Sequence, residues 1–240
     1  MSSAELIELL EHGDMTVKGR MPWSSNATFL VELCSASTMG LGVYKPARGE
    51  RPLWDFPSGI GRREVAAYLL SEALGWGLVP ETIWREDGPI GPGSLQRFVE
   101  ADFEHHYFTL YEDDTERWHD ELRRLCVFDL LANSTDRKSG HCLLVPTEGD
   151  GGRIYAIDNG LSFHAEFKLR TVIWEFGGED IPGDLVDDVR RFVAAGVPDE
   201  LASLLDPFER DALLARGRAV VSDRRFPIDG TGHRYPWPLV

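Results

Sequence analysis

Two carboxylates and one imidazole in the middle of the chain are the side chains best suited to chemistry. Asp136 lies in a polar turn, His141 ends that turn, and Asp158 follows an apolar run. Carboxylate oxygens bind divalent cations, and a carboxylate held near a hydroxyl group can accept its proton. If the fold brings these three side chains together, they form a site that binds a cation and moves a proton.

A predicted β-hairpin brings the site together. Two apolar runs flank the glycine-rich segment 149–152, which is the pattern of an antiparallel hairpin. With Val145 opposite Ile154, the pairing places His141 opposite Asp158, and a slip of one or two residues keeps both at the same end. The preceding turn brings the second carboxylate to that end as well.

Each of the three residues also has a purely structural interpretation. Asp158 precedes Asn159-Gly160, a common turn sequence, and could simply cap that turn. Asp136 could form an Asx-turn, and His141 could be a solvated loop residue. For each residue alone the structural interpretation is favoured, so the case for a site depends on their shared position at one end of the hairpin.

The elements that must position this site change from strands to helices along the chain. Periodicity and turn residues predict seven strands and three helices. The strands are 15–18, 28–33, 41–45, 82–85, 94–99, 142–145 and 154–157, and the helices are 4–11, 62–74 and about 118–131. This order predicts an α+β protein with two lobes: residues 1–99, an antiparallel sheet with one helix, and residues 100–240, mainly helical.

Composition narrows the class of protein. The 240 residues are 42% hydrophobic and 27% charged, which is typical of a globular protein, and the net charge is −15. Such an acidic chain is repelled by nucleic acid and by anionic membranes. No apolar run reaches the roughly 20 residues that span a bilayer, and the N-terminus lacks a secretion signal, so we expect a cytoplasmic protein. The acidic stretch 100–120 is expected to be a solvated linker.

Two short segments carry a family resemblance. Residues 133–137, Asn-Ser-Thr-Asp-Arg, and residues 156–161, Ala-Ile-Asp-Asn-Gly-Leu, resemble the catalytic and metal-binding segments of the phosphatidylinositol 3-/4-kinase-like fold. The chain looks like the type II phosphatidylinositol 4-kinases and, more closely, like a group of kinase-like proteins from actinobacteria. The resemblance extends from about Met15 to His164. It implies a two-lobe protein-kinase-like fold and a phosphotransferase that uses ATP.

The resemblance implies a role for five side chains. Asp136 would orient or deprotonate the acceptor hydroxyl, Asp158 would bind the metal, and Asp129 would brace the catalytic loop. Lys45 would hold the α- and β-phosphates, and Glu64 would pair with it. Without the resemblance, Lys45 is also explained as an exposed lysine at a strand end. Glu64 is then explained as an acid in the first turn of a helix, where the helix dipole favours it.

The resemblance also implies further contacts to the nucleotide. The turn with Ser24, Ser25 and Asn26 would cover the phosphates through backbone N–H groups and hydroxyls, although it lacks the glycine pattern of protein kinases. The backbone at Phe98 and Val99 would meet the adenine. An ordinary edge strand explains that second segment equally well.

The sequence departs from the family at the metal site. The family pattern is Asp-Arg-x-x-x-Asn, in which the asparagine is the second metal ligand, and His141 occupies that position here. Imidazole is a poor ligand for Mg²⁺ and a better one for Mn²⁺. Two interpretations stay open: an active site with an altered metal preference, or a protein that binds the nucleotide without catalysis.

Together these observations predict a kinase that uses ATP with Mg²⁺ or Mn²⁺ and moves the γ-phosphate to a hydroxyl. The chain lacks the basic surface and the cysteine-rich palmitoylated loop of type II lipid kinases, so the expected acceptor is a protein or a soluble small molecule. The alternatives are a pseudokinase that acts as a nucleotide-binding regulator or scaffold, and an enzyme that transfers AMP.

Overall fold

The computed structural model covers most of the chain. The predicted phosphate-covering residues Ser24, Ser25 and Asn26 lie outside the described part. The ranges that the structure describes are 2–22, 27–36, 38–113, 116–147 and 152–239.

The structure has a mixed α+β fold, with an antiparallel sheet in the N-terminal part followed by a helical region, as the sequence predicted. The strands are β1 (Asp14–Arg20), β2 (Phe29–Cys34), β3 (Met39–Pro46), β4 (Thr82–Arg85), β5 (Gly93–Arg97), β6 (Cys142–Val145) and β7 (Arg153–Ala156). The helices are α1 (Ser3–His12), α2 (Ile60–Ala73), α3 (Tyr107–Glu112), α4 (Glu116–Ala132), α5 (Gly183–Ala195), α6 (Asp199–Ser203) and α7 (Pro207–Asp223).

The N-terminal sheet has five antiparallel strands in the order β1-β2-β3-β5-β4. Helix α1 packs on it through Leu9 and Leu10, which are fully buried against Val31, Leu33 and other sheet residues. Burial of each such side chain contributes about 1.5–3 kcal/mol. Strand β3 lies in the centre of the sheet and pairs with β2 on one side and β5 on the other. Its residue Lys45 therefore has a defined position.

Helix α2 connects the sheet to the helical region. It begins after Gly59, whose φ of +91° is a left-handed conformation that glycine adopts without a steric cost. Arg63 and Glu64 on α2 are both buried although both side chains are charged. The Arg63 guanidinium donates a hydrogen bond to the Glu209 carboxylate of α7. This contact ties α2 to the C-terminal helices.

The main core surrounds α4 and contains residues from α2, α3, α5 and the β6–β7 hairpin. The expectation of a solvated linker over 100–120 was wrong. Tyr107 and Leu110 on α3 are fully buried, and α4 already begins at Glu116. These apolar residues are three positions apart, which is one turn of a helix, but the surrounding acidic residues masked that spacing. The division into lobes at 1–99 and 100–240 stays a prediction.

The C-terminal part adds three helices and a tail. The tail lies against two segments near the β6–β7 hairpin: the Thr171 N–H donates to the Arg234 carbonyl, and the Ser139 N–H donates to the Leu239 carbonyl. Within the described ranges, every helix is either too short or too polar to cross a lipid bilayer.

Candidate active site

The loop after α4 is held by a buried ion pair. The Arg137 guanidinium donates to both carboxylate oxygens of Asp129, at 3.0–3.2 Å, and both side chains are at most 1% exposed. Arg137 also donates to the Asn159 side-chain oxygen at 2.5 Å and to the Ile157 carbonyl at 2.8 Å. The Thr171 hydroxyl donates to Asp129 at 3.0 Å. The predicted bracing residue Asp129 therefore fixes the loop through Arg137, because the arginine joins the loop to the end of the hairpin.

The hairpin differs from the expected register by one residue. Leu144, not Val145, lies opposite Ile154. The Ile157 N–H donates to the His141 carbonyl at 3.0 Å, which extends the pairing beyond the strands. The predicted gathering at one end survives this slip, because the His141 Nε2 atom lies 3.4 Å from an Asp158 carboxylate oxygen.

The turn after β7 positions Asp158. Its φ is +57°, a left-handed conformation that aspartate tolerates better than most residues. The next residue, Asn159, is buried, and its N–H donates to the Glu64 carboxylate at 2.9 Å. The structural interpretation of Asn159-Gly160 as a simple hairpin turn was wrong, because Asn159 links the end of the hairpin to α2 and to the Arg137 guanidinium.

Lys45 lies between two carboxylates. Its Nζ atom is 2.5 Å from Glu64 Oε1 and 2.8 Å from Asp158 Oδ1. Burial disfavours the charge on Lys45, but the attraction of Asp158 and Glu64 outweighs it and raises the pKa of Lys45 above its ordinary value. The helix-dipole explanation of Glu64 also fails, because α2 begins at Ile60 and Glu64 lies beyond its first turn. The contact joins the sheet, α2 and the hairpin.

Asp136 faces the same opening from the other side. It is half-buried, and the Lys138 ammonium donates to its Oδ2 atom at 2.5 Å. Burial raises the pKa of Asp136, while Lys138 opposes that shift. Lys45 holds the pKa of Asp158 well below its usual range. One carboxylate is therefore firmly ionised and the other is more easily protonated, which is the asymmetry expected of a metal ligand beside a proton acceptor.

The donor atoms at this opening suit a divalent cation. The Asp158 side chain is 53% exposed although Lys45 contacts one of its oxygens. Burial lowers the pKa of His141 to about 4, so its imidazole is neutral at pH 7. Its Nδ1 atom accepts a hydrogen bond from the Lys138 N–H at 3.4 Å. One carboxylate and one neutral imidazole fit Mn²⁺ better than Mg²⁺. Among the described residues the only set of three closely spaced His, Cys, Asp or Glu ligand atoms lies elsewhere, on α1.

A cavity of about 220 Å³ lies beside Lys45 and Asp158. Its lining is largely apolar and includes Phe98 and Val99, where the sequence predicted contact with adenine. The Phe98 N–H already donates to the Leu41 carbonyl, so that donor is occupied within the sheet. The cavity offers a largely apolar space next to the charged cluster.

Three lysines of this arginine-rich chain lie in the cleft region. Of 25 basic residues only four are lysines. Lys45 and Lys168 line cavities there, and Lys138 pairs with the lining residue Asp136, whereas Lys18 pairs with Glu32 on the sheet. The rarity of lysine was visible in the sequence, but Lys138 and Lys168 received no role from it. Asn159 belongs to the segment 156–161 that carries the resemblance but received no role from it, and no motif signalled Thr171.

The fold is similar to that of several kinases of known structure. The Golgi casein kinase, in a crystal structure with Mn/ADP bound, matches 99% of this chain and 80% of its own, with a TM-score of 0.62 and 13% identity. The Helicobacter pylori proinflammatory kinase CtkA matches 90% of this chain and 94% of its own, with a TM-score of 0.53 and 11% identity. The structure of hydra Fam20 with sugar matches 92% of this chain and 89% of its own, with a TM-score of 0.56 and 15% identity.

The chain belongs to the same family as Protein Rv2133c of Mycobacterium tuberculosis (strain ATCC 25618 / H37Rv). The two are 39% identical over 96% of this chain and 94% of the relative. No established family model matches the sequence. The expected likeness to kinase-like proteins is confirmed. The mycobacterial relative fits the expected actinobacterial group. The comparisons do not support the type II phosphatidylinositol 4-kinases in particular.

Proposed function

We propose that the protein is a kinase that transfers the γ-phosphate of ATP to a hydroxyl group, with Mn²⁺ or Mg²⁺ as cofactor. The observation that carries this proposal is the position of Lys45, whose ammonium contacts both Glu64 and Asp158 beside the apolar cavity. A lysine oriented by a helix carboxylate is suited to the phosphates of a nucleotide, and the cavity is suited to its base.

Each residue has one task in this proposal. Lys45 holds the α- and β-phosphates and Glu64 orients it. Asp158 and His141 hold the cation, which neutralises the phosphate charge when bound. Asp136 orients the acceptor. Asp129 positions the loop through Arg137 and does not touch the reacting atoms.

The transfer is a single displacement. The acceptor oxygen forms a bond to the γ-phosphorus, and the bond from that phosphorus to the β–γ bridging oxygen breaks. ADP leaves with the electron pair, and the proton of the acceptor hydroxyl passes to the Asp136 carboxylate. Positioning and neutralisation of charge supply most of the rate enhancement in such a reaction.

The test is ATP turnover by the wild type and by Asp158→Ala, with Mn²⁺ and with Mg²⁺. We expect a loss of about 10²–10³-fold in the variant, since it removes a group that stabilises the transition state. Asp211→Ala, at an exposed position of α7, is the matched control and should keep full activity. Equal activity in Asp158→Ala and the wild type would refute the assignment.

Two further measurements, calorimetry and mass spectrometry, separate the alternatives. Metal-dependent ATP binding in calorimetry, without phosphate leaving ATP over hours, would identify a nucleotide-binding protein without transferase activity. His141 at the second metal position is the feature that favours this alternative. Mass spectrometry of the reaction mixture distinguishes a gain of phosphate from a gain of AMP.

A further inference from the structure

The register of the sheet defines the wall of the apolar cavity. Val43 and Lys45 lie two residues apart on β3, so their side chains share one face of the sheet, about 7 Å apart along the strand. Gln96 of β5 lies directly opposite Val43, and all three residues line the cavity of about 220 Å³. A nucleotide whose phosphates lie at Lys45 would therefore place its base beside Val43 and Gln96.

Gln96 is a polar side chain in this largely apolar cavity. It is only 8% exposed, and its neighbours in the lining include Val43, Phe98 and Val99. Burial of an amide is unfavourable unless its donor and acceptor atoms find partners. The hydrogen bonds that Gln96 already makes therefore determine what it can still bind.

Two consecutive hydrogen bonds fix the orientation of the Gln96 amide. The Thr82 hydroxyl lies 2.7 Å from the Pro80 carbonyl oxygen and 2.8 Å from the Gln96 amide nitrogen. Because a carbonyl can only accept, the single hydroxyl proton of Thr82 goes to Pro80, and Thr82 accepts its second hydrogen bond from Gln96. The reversed orientation of the amide would place two acceptor oxygens against each other.

The remaining polar atom of this amide, Gln96 Oε1, faces the cavity. Within the described ranges no donor bonds to this oxygen, and it is not one of the fully buried atoms that lack a partner. It is therefore accessible, and the open space beside Gln96 is the cavity. The wall of the cavity thus presents one fixed hydrogen-bond acceptor.

A fixed acceptor at this place distinguishes two kinds of purine. Adenine carries an amino group at C6, which can donate a hydrogen bond to Gln96 Oε1. Guanine and hypoxanthine carry an oxygen at C6, which would meet Oε1 as a second acceptor and leave both oxygens without a donor. Rotation of the amide does not remove this conflict, because it would create the same conflict with the Thr82 hydroxyl.

We propose that Gln96 determines the base specificity of the site and selects ATP by accepting a hydrogen bond from the amino group of adenine. Thr82 is a positioning residue, since it does not touch the base but holds the amide with Oε1 toward the cavity. This inference rests on the proposed function for the presence of a nucleotide, and it adds the preferred base and the atom that recognises it.

The experiment is calorimetric titration of the full chain with ADP and with IDP, in the presence of Mn²⁺. These nucleotides differ only at the purine ring, where IDP has an oxygen at C6 and a proton on N1. We expect ADP to bind about tenfold more tightly or better, because a buried acceptor without a donor is unfavourable. Gln96→Met keeps the length of the side chain but removes the acceptor, so it should weaken ADP binding about tenfold without weakening IDP binding.

Thr82→Val separates positioning of the amide from a general structural role. Valine has the shape of threonine but cannot accept the hydrogen bond, so Gln96 can turn its amide nitrogen toward an oxygen at C6. IDP should then bind more tightly than it does to the wild type, and the ratio of the two affinities should fall toward one. Thr16→Val, the same substitution at an exposed position of β1, should leave both affinities unchanged.

Each result decides between this inference and the proposed function. An unchanged ratio of affinities in Gln96→Met would overturn the inference, because another group would then recognise the base. Equal binding of ADP and IDP by the wild type would also overturn it, but the nucleotide site would stand. Failure of both nucleotides to bind, with Mn²⁺ and with Mg²⁺, would refute the inference and the proposed function together. Selective binding of ADP without any phosphate transfer would refute only the transfer.

Discussion

Two charged clusters lie side by side in this protein, and they differ in how completely their groups are paired. In the first, Asp129, Arg137, Asn159 and Thr171 are all buried, and the Asp129 carboxylate accepts four hydrogen bonds. In the second, Lys45 is paired with Glu64 and Asp158, but the Asp158 side chain is 53% exposed. We name these the closed cluster and the open cluster.

The difference shows how one segment of chain can provide both a support and a reactive group. A buried ion pair with all its hydrogen bonds made is rigid, and removal of one partner leaves an uncompensated charge. A partly exposed carboxylate beside a lysine can exchange that contact for a cation or a phosphate. Arg137 belongs to the closed cluster, and its neighbours Asp136 and Lys138 face the opening.

Arg137→Ala should have the largest effect, because it leaves the Asp129 carboxylate buried and unpaired. We expect the free energy of unfolding to fall by about 3–5 kcal/mol, with loss of activity. Urea denaturation measures the change. Arg190→Ala breaks an exposed ion pair with Asp187 on α5 and should cost about 1 kcal/mol or less. Similar losses of unfolding free energy in the two variants would show that the closed cluster stabilises the fold no more than an exposed ion pair does.

His141→Asn should alter the pH dependence of stability. Since the pKa of His141 falls from 6.5 to about 4 on folding, the unfolded chain takes up a proton below pH 6.5 that the folded chain refuses until about pH 4. The wild type therefore loses stability between these values, by roughly 3 kcal/mol in total from this residue. The variant should lack that loss, as measured by urea denaturation at several pH values without metal.

An identical pH dependence in both proteins would contradict the buried, neutral state of His141. His12→Asn is the matched control, since His12 is exposed on α1, and it should retain the pH dependence of the wild type.

Lys138→Met should have the smallest effect, confined to the pH profile of turnover. Lys138 lowers the pKa of Asp136 against the effect of burial, so its removal lets that pKa rise further. The acidic limb of kcat should therefore move to higher pH, because the carboxylate must be ionised to accept a proton. Lys18→Met, which breaks an exposed pair on the sheet, should not move the limb. A fixed limb in Lys138→Met would mean that Asp136 is not the proton acceptor.

The sequence predicted the strands, α2 and α4 well, because their apolar residues recur at regular intervals and glycines mark the ends. It did not locate α3, where acidic residues flank the segment with Tyr107 and Leu110, and it gave no bounds for α5, α6 or α7. It also placed the β6–β7 register one residue away, since the run Leu143–Val145 is apolar throughout and alternation gives no register there.

Local pattern was enough to bring Asp136, His141 and Asp158 to one end of a hairpin, because they are close in the chain and a short turn limits their separation. Which side chains would complete the site depended on contacts between distant segments. The pairing of Lys45 with Glu64 and Asp158, and the burial that makes His141 neutral, exist only after the sheet, α2 and the hairpin pack together. The packed fold alone sets these distances and the desolvation, since both depend on neighbours that are remote in sequence.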